Sequence, residues 1–135
     1  MSRIPTAILG QVSFDPYAPY GPLVESSVRV VTWNVWGRYG PQRETRQLAL
    51  EDTLAEVAPD VICLIEAWRD DATSQPERLA GRLGLPHHHF TGDWQREDWV
   101  SGIGLVSRWP MSEPQSRPLR ADDDTGVGQA VHVVV

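Results

Sequence analysis

Two apolar, β-branched runs set the limits on what this chain can fold into: Val28-Arg-Val-Val-Thr-Trp-Asn-Val-Trp-Gly37 and Val61-Ile-Cys-Leu-Ile-Glu-Ala-Trp68. Each stops on a polar group, Asn34 in the first and Glu66 in the second. Between them Leu50, Leu54, Val57 and Ala58 recur at the spacing of one helical face, and Pro59 closes that helix. Strand, helix and strand in this order predict parallel neighbours joined by a right-handed crossover, with both carboxyl ends at one edge of the sheet. Adjacent strands lie about 4.8 Å apart, so the Asn34 amide and the Glu66 carboxylate would face one small volume. Open α/β sheets bind ligands at that edge.

Each residue also has a plainer reading. Asn after a strand commonly serves as a turn residue, its side chain bonded to local backbone. A Glu at that position can be a solvated loop residue. Spacing leaves both readings open.

The wording around the two residues carries a resemblance. Thr32-Trp-Asn-Val-Trp36, Leu64-Ile-Glu-Ala-Trp68 and Gly102-Ile-Gly-Leu-Val-Ser-Arg-Trp-Pro-Met111 occur in that order. The set resembles the endonuclease/exonuclease/phosphatase family of metal-dependent phosphoesterases, whose motifs are a strand ending in T-x-N, a strand ending in Q-E, and a strand followed by S-R-x-P. The first and third match. The second departs, with Ile65 in place of the usual Gln, although Glu66 itself is present. The resemblance implies an α/β fold, a two-layer β-sandwich flanked by helices like that of deoxyribonuclease I. It implies Glu66 as a ligand of Mg²⁺ or Mn²⁺, and Asn34 as a group that positions the metal or the scissile phosphate. Arg108, in Ser107-Arg-Trp-Pro110, is a candidate substrate contact or a structural tie between the strand end and neighbouring loops.

By the same resemblance the general base and its orienting histidine belong to a second half, in T-H-L, G-D-x-N and S-D-H segments that this sequence does not contain. The chain ends in Val131-His-Val-Val-Val135, which reads as a strand without a polar cap, and an exposed edge of this kind invites association. Residues 1–25 hold Pro5, Pro16, Pro19 and Pro22 with no sustained period, and read as a Pro/Gly-rich arm. Residues 26–135 then read as the N-terminal half of a phosphoesterase domain, about half of the fold. The expected partners are a phosphoester substrate, nucleic acid or a phosphorylated small molecule or lipid, and either a complementing C-terminal half or a second copy of the chain. The alternatives are a non-catalytic fragment that needs a partner chain, and an unrelated α/β domain whose Asn34 and Glu66 are turn residues.

Composition narrows these classes only a little. Charged residues at 22% and hydrophobic ones at 41% describe an ordinary globular chain. A net charge of −6 gives no basic footprint for nucleic acid, yet bound cations invert the field at an acidic site, so a nuclease stays admissible. Cys63 lies within an apolar strand and no disulfide can form within the chain. With no signal-peptide pattern and no segment of about 20 apolar residues, the expectation is a cytoplasmic protein without a membrane span.

The remaining expectations are local. Leu79 and Leu83 predict a helix over Gln75–Leu83, stopped by Gly84. Strands are expected at His87–Phe90, at Ile103–Ser107 and from Val127 onward, with 112–126 a polar, Pro-rich loop. The second strand, Val61–Ile65, is apolar on both faces and is expected to be covered on both sides. His87 and His89 share a strand face and invite a metal reading, but two histidines without a third group rarely make a closed site. Asp122-Asp-Asp-Thr-Gly126 lacks the distal Glu of a calcium loop and reads as solvated. Of six tryptophans, Trp33 and Trp109 are assigned to the core. Trp36, Trp68, Trp94 and Trp99 lie on or near loops, where they either pack or form an aromatic rim. Trp36 and Trp68 are the candidate substrate contacts.

Overall fold

The computed structural model describes residues 27–120 and 127–135. The arm over 1–25 and the Asp122–Gly126 segment therefore lie outside the described residues. Eight elements follow in chain order: β1 Val30–Asn34, α1 Arg43–Val57, β2 Val61–Arg69, α2 Gln75–Leu83, β3 His87–Gln95, β4 Val100–Ser107, β5 Gln115–Arg120 and β6 Val127–His132. The first four strands form one mixed sheet in the order β1-β2-β4-β3, and β5 and β6 pair as a separate antiparallel ribbon. β1 and β2 are parallel neighbours, with Asn34 opposite Ile65, as the strand-helix-strand pattern predicts. A side-chain bond from Gln129 Nε2 to the Thr91 carbonyl, 3.1 Å, links the ribbon to β3.

Local chemistry explains α2 completely. Ser74 caps it, accepting from the Glu77 amide while Glu77 reaches back to the Ser74 amide, and Pro76 occupies the first turn. Gly84 ends it at φ 66°. The apolar side, Leu79 and Ala80, meets Ile62, Leu64, Ala67 and Val106 of the sheet. Gly104 permits this approach, because a Cβ there would lie 3.2 Å from both Pro76 and Ala67.

α1 departs from its expected face. Gln47, Leu50, Glu51 and Leu54 are buried, whereas Val57 and Ala58 are exposed, because Ala58 already turns left-handed to cap the helix. Two of the four inward positions are thus polar. Gln47 meets α2 by accepting from Gln75 and Glu51 by pairing with Arg78, and the exposed Glu44 and Asp52 add ion pairs to Arg78 and Arg82.

Three further expectations need correction. β2 and β3 run on to Arg69 and Gln95, well past Ile65 and Phe90. Residues 115–120 form β5 despite Pro118, an arrangement tolerated in a strand with one neighbour. β2 is covered by helices on one face only: Ile62 and Leu64 are fully buried, while Ile65 on the other face is 44% exposed. Trp33 and Trp109 also remain 40% and 38% exposed. The polar face of α1 leaves a cavity beside the first, and the second sits on the turn leaving β4.

Candidate active site at the carboxyl ends of the first two strands

β4 organises the site from the centre of the sheet. On one side of it β2 carries an extra residue between Leu64 and Ala67, and on the other β3 carries an extra residue between Gly92 and Trp94. The first bulge contains Glu66, whose backbone is left-handed at φ 58°. The second contains Asp93. A left-handed backbone costs a non-glycine residue about 1–2 kcal/mol, and bulges beside active sites re-aim side chains out of strict alternation. Both carboxylates line one cavity of about 430 Å³, together with Trp36, Tyr39, Trp94 and Arg96. Burial, and after it the charge of Glu66, push the Asp93 carboxyl above its usual range.

Gly37 closes the turn after β1 onto this bulge. It has φ 38°, and a Cβ there would stand 2.6 Å from the Glu66 carbonyl oxygen, so only glycine lets the turn approach so closely. The Val35 amide donates to the Ile65 carbonyl at 2.9 Å and fixes the height of β1 against β2. Asn34 makes the Asx turn of the plainer reading: its Oδ1 accepts from the Trp36 amide at 3.0 Å. That bond engages one lone pair of Oδ1. Asn34 lines a second cavity, of about 260 Å³ between β1 and α1, and Trp36 lines both cavities. The two candidate residues thus share the sheet edge, with the Trp36 indole as the wall between them.

The other candidates are placed elsewhere. Arg108 lies at the opposite edge, because β4 runs antiparallel to β2, and its Nε pairs with Asp60 Oδ1 at 2.8 Å. Trp68 is buried beneath the Arg38 guanidinium, 3.9 Å above its ring, and offers no face to a ligand. Trp99 is buried edge-on against Tyr39. Trp36 and Trp94, by contrast, are 52% and 57% exposed and flank the acidic cavity. Arg96 stacks between Trp94 and Tyr39 at 5.0 Å from each ring and donates to the Tyr39 hydroxyl. Among the described residues His87 and His89 gather no third ligand, and His89 Nε2 bonds Thr91 Oγ1 at 2.9 Å. Sequence reasoning missed Asp93, Tyr39 and Arg96. A glycine directly before an acidic residue inside a strand was the available signal for a bulge at Asp93.

Could the donors hold a divalent cation? Among the described residues no three histidine, cysteine or acidic side chains gather as a complete ligand set. The chemistry present suits a hard cation in part: two carboxylates line one cavity, and one of them is raised above its usual range chiefly by burial. Mg²⁺ is commonly held by one or two carboxylates, with waters and phosphate oxygens completing the octahedron.

The loop after β2 has its own pH dependence. Asp70 Oδ1 accepts from the Thr73 and Ala72 amides at 2.8 and 2.9 Å, and Oδ2 pairs with Arg38. The Thr73 amide contributes most to holding this carboxyl below its usual range, and Arg38 adds to it. A depressed carboxyl contributes stability above its unfolded value, and that contribution is lost as pH falls through the lower folded value. Asp70→Asn is therefore expected to lower Tm at neutral pH, with the difference from wild type shrinking below about pH 3.9. Melting curves across pH 2–7, followed by circular dichroism, check this; a difference that stays constant through acid would overturn it.

A mixed sheet backed by two helices, with Asn34 at the end of β1 and acidic groups at the bulges of β2 and β3, defines an α/β protein of the deoxyribonuclease I-like class. Residues 31–134 match the endonuclease/exonuclease/phosphatase family, and the chain belongs to that family. Among solved structures it is similar to an endonuclease/exonuclease/phosphatase family protein from Leptotrichia buccalis C-1013-b. That match has a TM-score of 0.62 at 15% identity and covers 79% of this chain and 49% of that one. It is also similar to an endonuclease/exonuclease/phosphatase from Beutenbergia cavernae DSM 12333, with a TM-score of 0.61 at 23% identity, covering 78% of this chain and 33% of that one. At these identities the likeness is one of fold. The chain spans about half the length of the first structure and a third of the second. No curated protein sequence matches it. No helix among the described residues is long and apolar enough to cross a membrane.

Proposed function

We propose that this chain supplies the Glu66 half of a divalent-metal-dependent phosphoesterase. The observation that supports this most directly is Glu66 itself: a strained, left-handed residue at a bulge, facing a cavity beside a second carboxylate. Strain of this kind collects at functional sites, where the surroundings hold it in place. Glu66, with water and substrate oxygens, would hold Mg²⁺ or Mn²⁺. That cation supplies charge neutralisation at a phosphate oxygen and at the leaving oxygen.

The chain's own residues do the rest of the positioning. Asn34, its Oδ1 engaged by the Trp36 amide, would orient a water or a substrate group on the far side of Trp36 from Glu66. Arg96 adds a cation at the cavity mouth, and Trp36 and Trp94 limit the water that reaches it. Asp93, whose carboxyl is raised above its usual range chiefly by burial, lines the cavity beside Glu66. Among the described residues no histidine lines this cavity, and the general base is expected from a complementing half.

Two results are expected of the 135-residue chain alone. It should bind Mg²⁺ weakly, because most of the octahedron is left to water. It should hydrolyse bis-p-nitrophenyl phosphate slowly or not at all, since absence of a general base costs about 10²–10⁴ in rate. Calorimetric Mg²⁺ titration and a nitrophenol assay, each on wild type and Glu66→Ala, check both. Mg²⁺ binding or robust turnover that survives Glu66→Ala would overturn the assignment. The half-covered sheet supports a second reading beside this one, in which the fragment serves mainly to pair with a partner chain. Ile65, on the face of β2 that no helix covers, is exposed to such a partner.

A further inference from the structure

β1 is the outermost strand of its sheet, and among the described residues no strand pairs with its outer side. Two backbone bonds fix which of its groups face β2: the Val35 amide donates to the Ile65 carbonyl, and the Val61 amide donates to the Arg29 carbonyl at 3.2 Å. Odd-numbered residues therefore turn their backbone toward β2. The N–H and C=O of Val30, Thr32 and Asn34 point outward along the free edge. An edge of this kind is a template for another strand.

Sheet edges are ordinarily guarded by a charge, a proline, a bulge or a covering segment. The far edge of this sheet is guarded in that way. β3 carries Asp93 and a bulge between Gly92 and Trp94, and Gln129 of the ribbon donates to its Thr91 carbonyl. β1 lacks such devices: Val30-Val-Thr-Trp-Asn34 holds no charge and no proline, and its register against β2 is unbroken. The neighbouring Arg29 does not guard it either, because its guanidinium is turned to the Val57 and Ala58 carbonyls at the end of α1. Along this edge Val30 is 63% exposed, and Trp33 stays half open.

We propose that this edge pairs with a second copy of itself, antiparallel about a two-fold axis at Thr32. In that register Val30, Thr32 and Asn34 all find mates within the strand. Thr32 bonds Thr32 of the second copy, and Val30 bonds Asn34 in both directions, giving about six backbone hydrogen bonds. On the face away from the helices the two threonine side chains meet, a pair that stabilises antiparallel strands. On the helix face Val31 of each copy lies opposite Trp33 of the other, in the closer, non-hydrogen-bonded kind of pair. The indole, open because the facing side of α1 is polar, thereby gains an apolar neighbour. No charge meets its like across the axis. Such a two-fold closes at two copies, whereas a parallel stack of identical edges would not close. The product is one continuous sheet that runs β3-β4-β2-β1 and then the same order reversed. This inference goes beyond the phosphoester reading and does not depend on Glu66.

The test is the mass of the 135-residue chain by sedimentation velocity from about 1 to about 200 μM, in reductant so that Cys63 cannot cross-link two copies. Wild type should pass from monomer to dimer and stop there, and its melting temperature should rise over the same range. Thr32→Lys and Thr32→Glu each set like charges against one another at the axis, and each should raise the dissociation constant by about tenfold or more. Mixed in equal amounts, the two variants should recover the dimer, because opposite charges then meet. Thr32 is exposed, so the fold should tolerate both changes, and circular dichroism of each variant before mixing checks that it does. A wild type that stays monomeric, with a melting temperature independent of concentration, would leave the edge to another strand of the domain. Association that both variants retain would move the contact to the ribbon. Growth past two copies, or no recovery on mixing folded variants, would deny the two-fold axis. Each of these results would overturn the inference.

Discussion

Replacing Glu66 with glutamine is expected to lower turnover by about 10²–10⁴ in an enzyme that joins this chain to the remainder of its family domain. The substitution keeps shape and hydrogen-bonding capacity but removes the charge that would hold the cation. Metal stabilisation of a phosphoryl transition state is worth several kcal/mol, and each 1.36 kcal/mol is tenfold in rate. Stability should change little, because the bulge is set by backbone pairing of β2 with β4 and not by the carboxylate. Relief of repulsion on Asp93 should even favour the folded state slightly. Activity across a Mg²⁺ titration, with a melting curve beside it, is the measurement. Near wild-type turnover at every concentration would make Glu66 a loop residue and remove the basis of the site.

Gly102→Ala should be the most damaging substitution in the sheet, and for a reason of geometry alone. A Cβ at Gly102 would lie 2.0 Å from the Thr91 carbonyl oxygen and 2.8 Å from the Gly92 Cα. Both obstacles are backbone, so no side-chain rotation relieves them, and β3 must part from β4. Overpacking of a well-fitted site costs about 1–3 kcal/mol and occasionally more, against a total stability of about 5–15 kcal/mol. We expect a loss at or above the upper end of that range. Gly102 pairs with Ala67 and Gly92, beside both bulges, so the acidic cavity should be lost with it. Gly81→Ala provides the opposite sign: it stands inside α2 with open space around it, and alanine there should stabilise by about 1 kcal/mol. Urea unfolding of the two variants gives both values, and a neutral Gly102→Ala would contradict the pairing described.

What could be read from the sequence was whatever neighbouring residues decide among themselves. α2 is the clear case: its cap, its first-turn proline and its terminal glycine all lie within the segment, and its limits follow directly. The parallel pairing of β1 with β2 was equally legible, since apolar runs around one helix admit few other arrangements. The bulges were not. Nothing in Ile65-Glu66-Ala67 favours a left-handed glutamate; the bulge arises because β4 offers one residue where β2 brings two. Asp93 escaped notice for the same reason. The tryptophans were misjudged where parity alone was used. Trp33 does point away from Asn34, but the helix face across from it is polar and leaves the indole half open. Trp68 lies after the bulge, which brings Ala67 to the helix-covered face and leaves Trp68 on the other, where the Arg38 guanidinium covers its ring.

Asp60 stands at the other edge of the sheet, and it sets a gradient of stiffness along the strands. Its side chain accepts from the Arg29 amide at 2.9 Å and pairs with Arg108, its amide donates to the Arg29 carbonyl at 2.8 Å, and its carbonyl accepts from the Arg108 amide at 2.8 Å. One residue thus clasps the start of β1, the start of β2 and the end of β4. At the opposite edge the same strands end in an Asx turn, two bulges and a left-handed glutamate. Amide protons at Asp60, Val61 and Arg108 should exchange with solvent only through opening of the whole sheet, while those from Trp36 to Tyr39 should exchange through small local fluctuations. The sheet is built as a fan riveted at its base, with its irregular turns gathered at the rim.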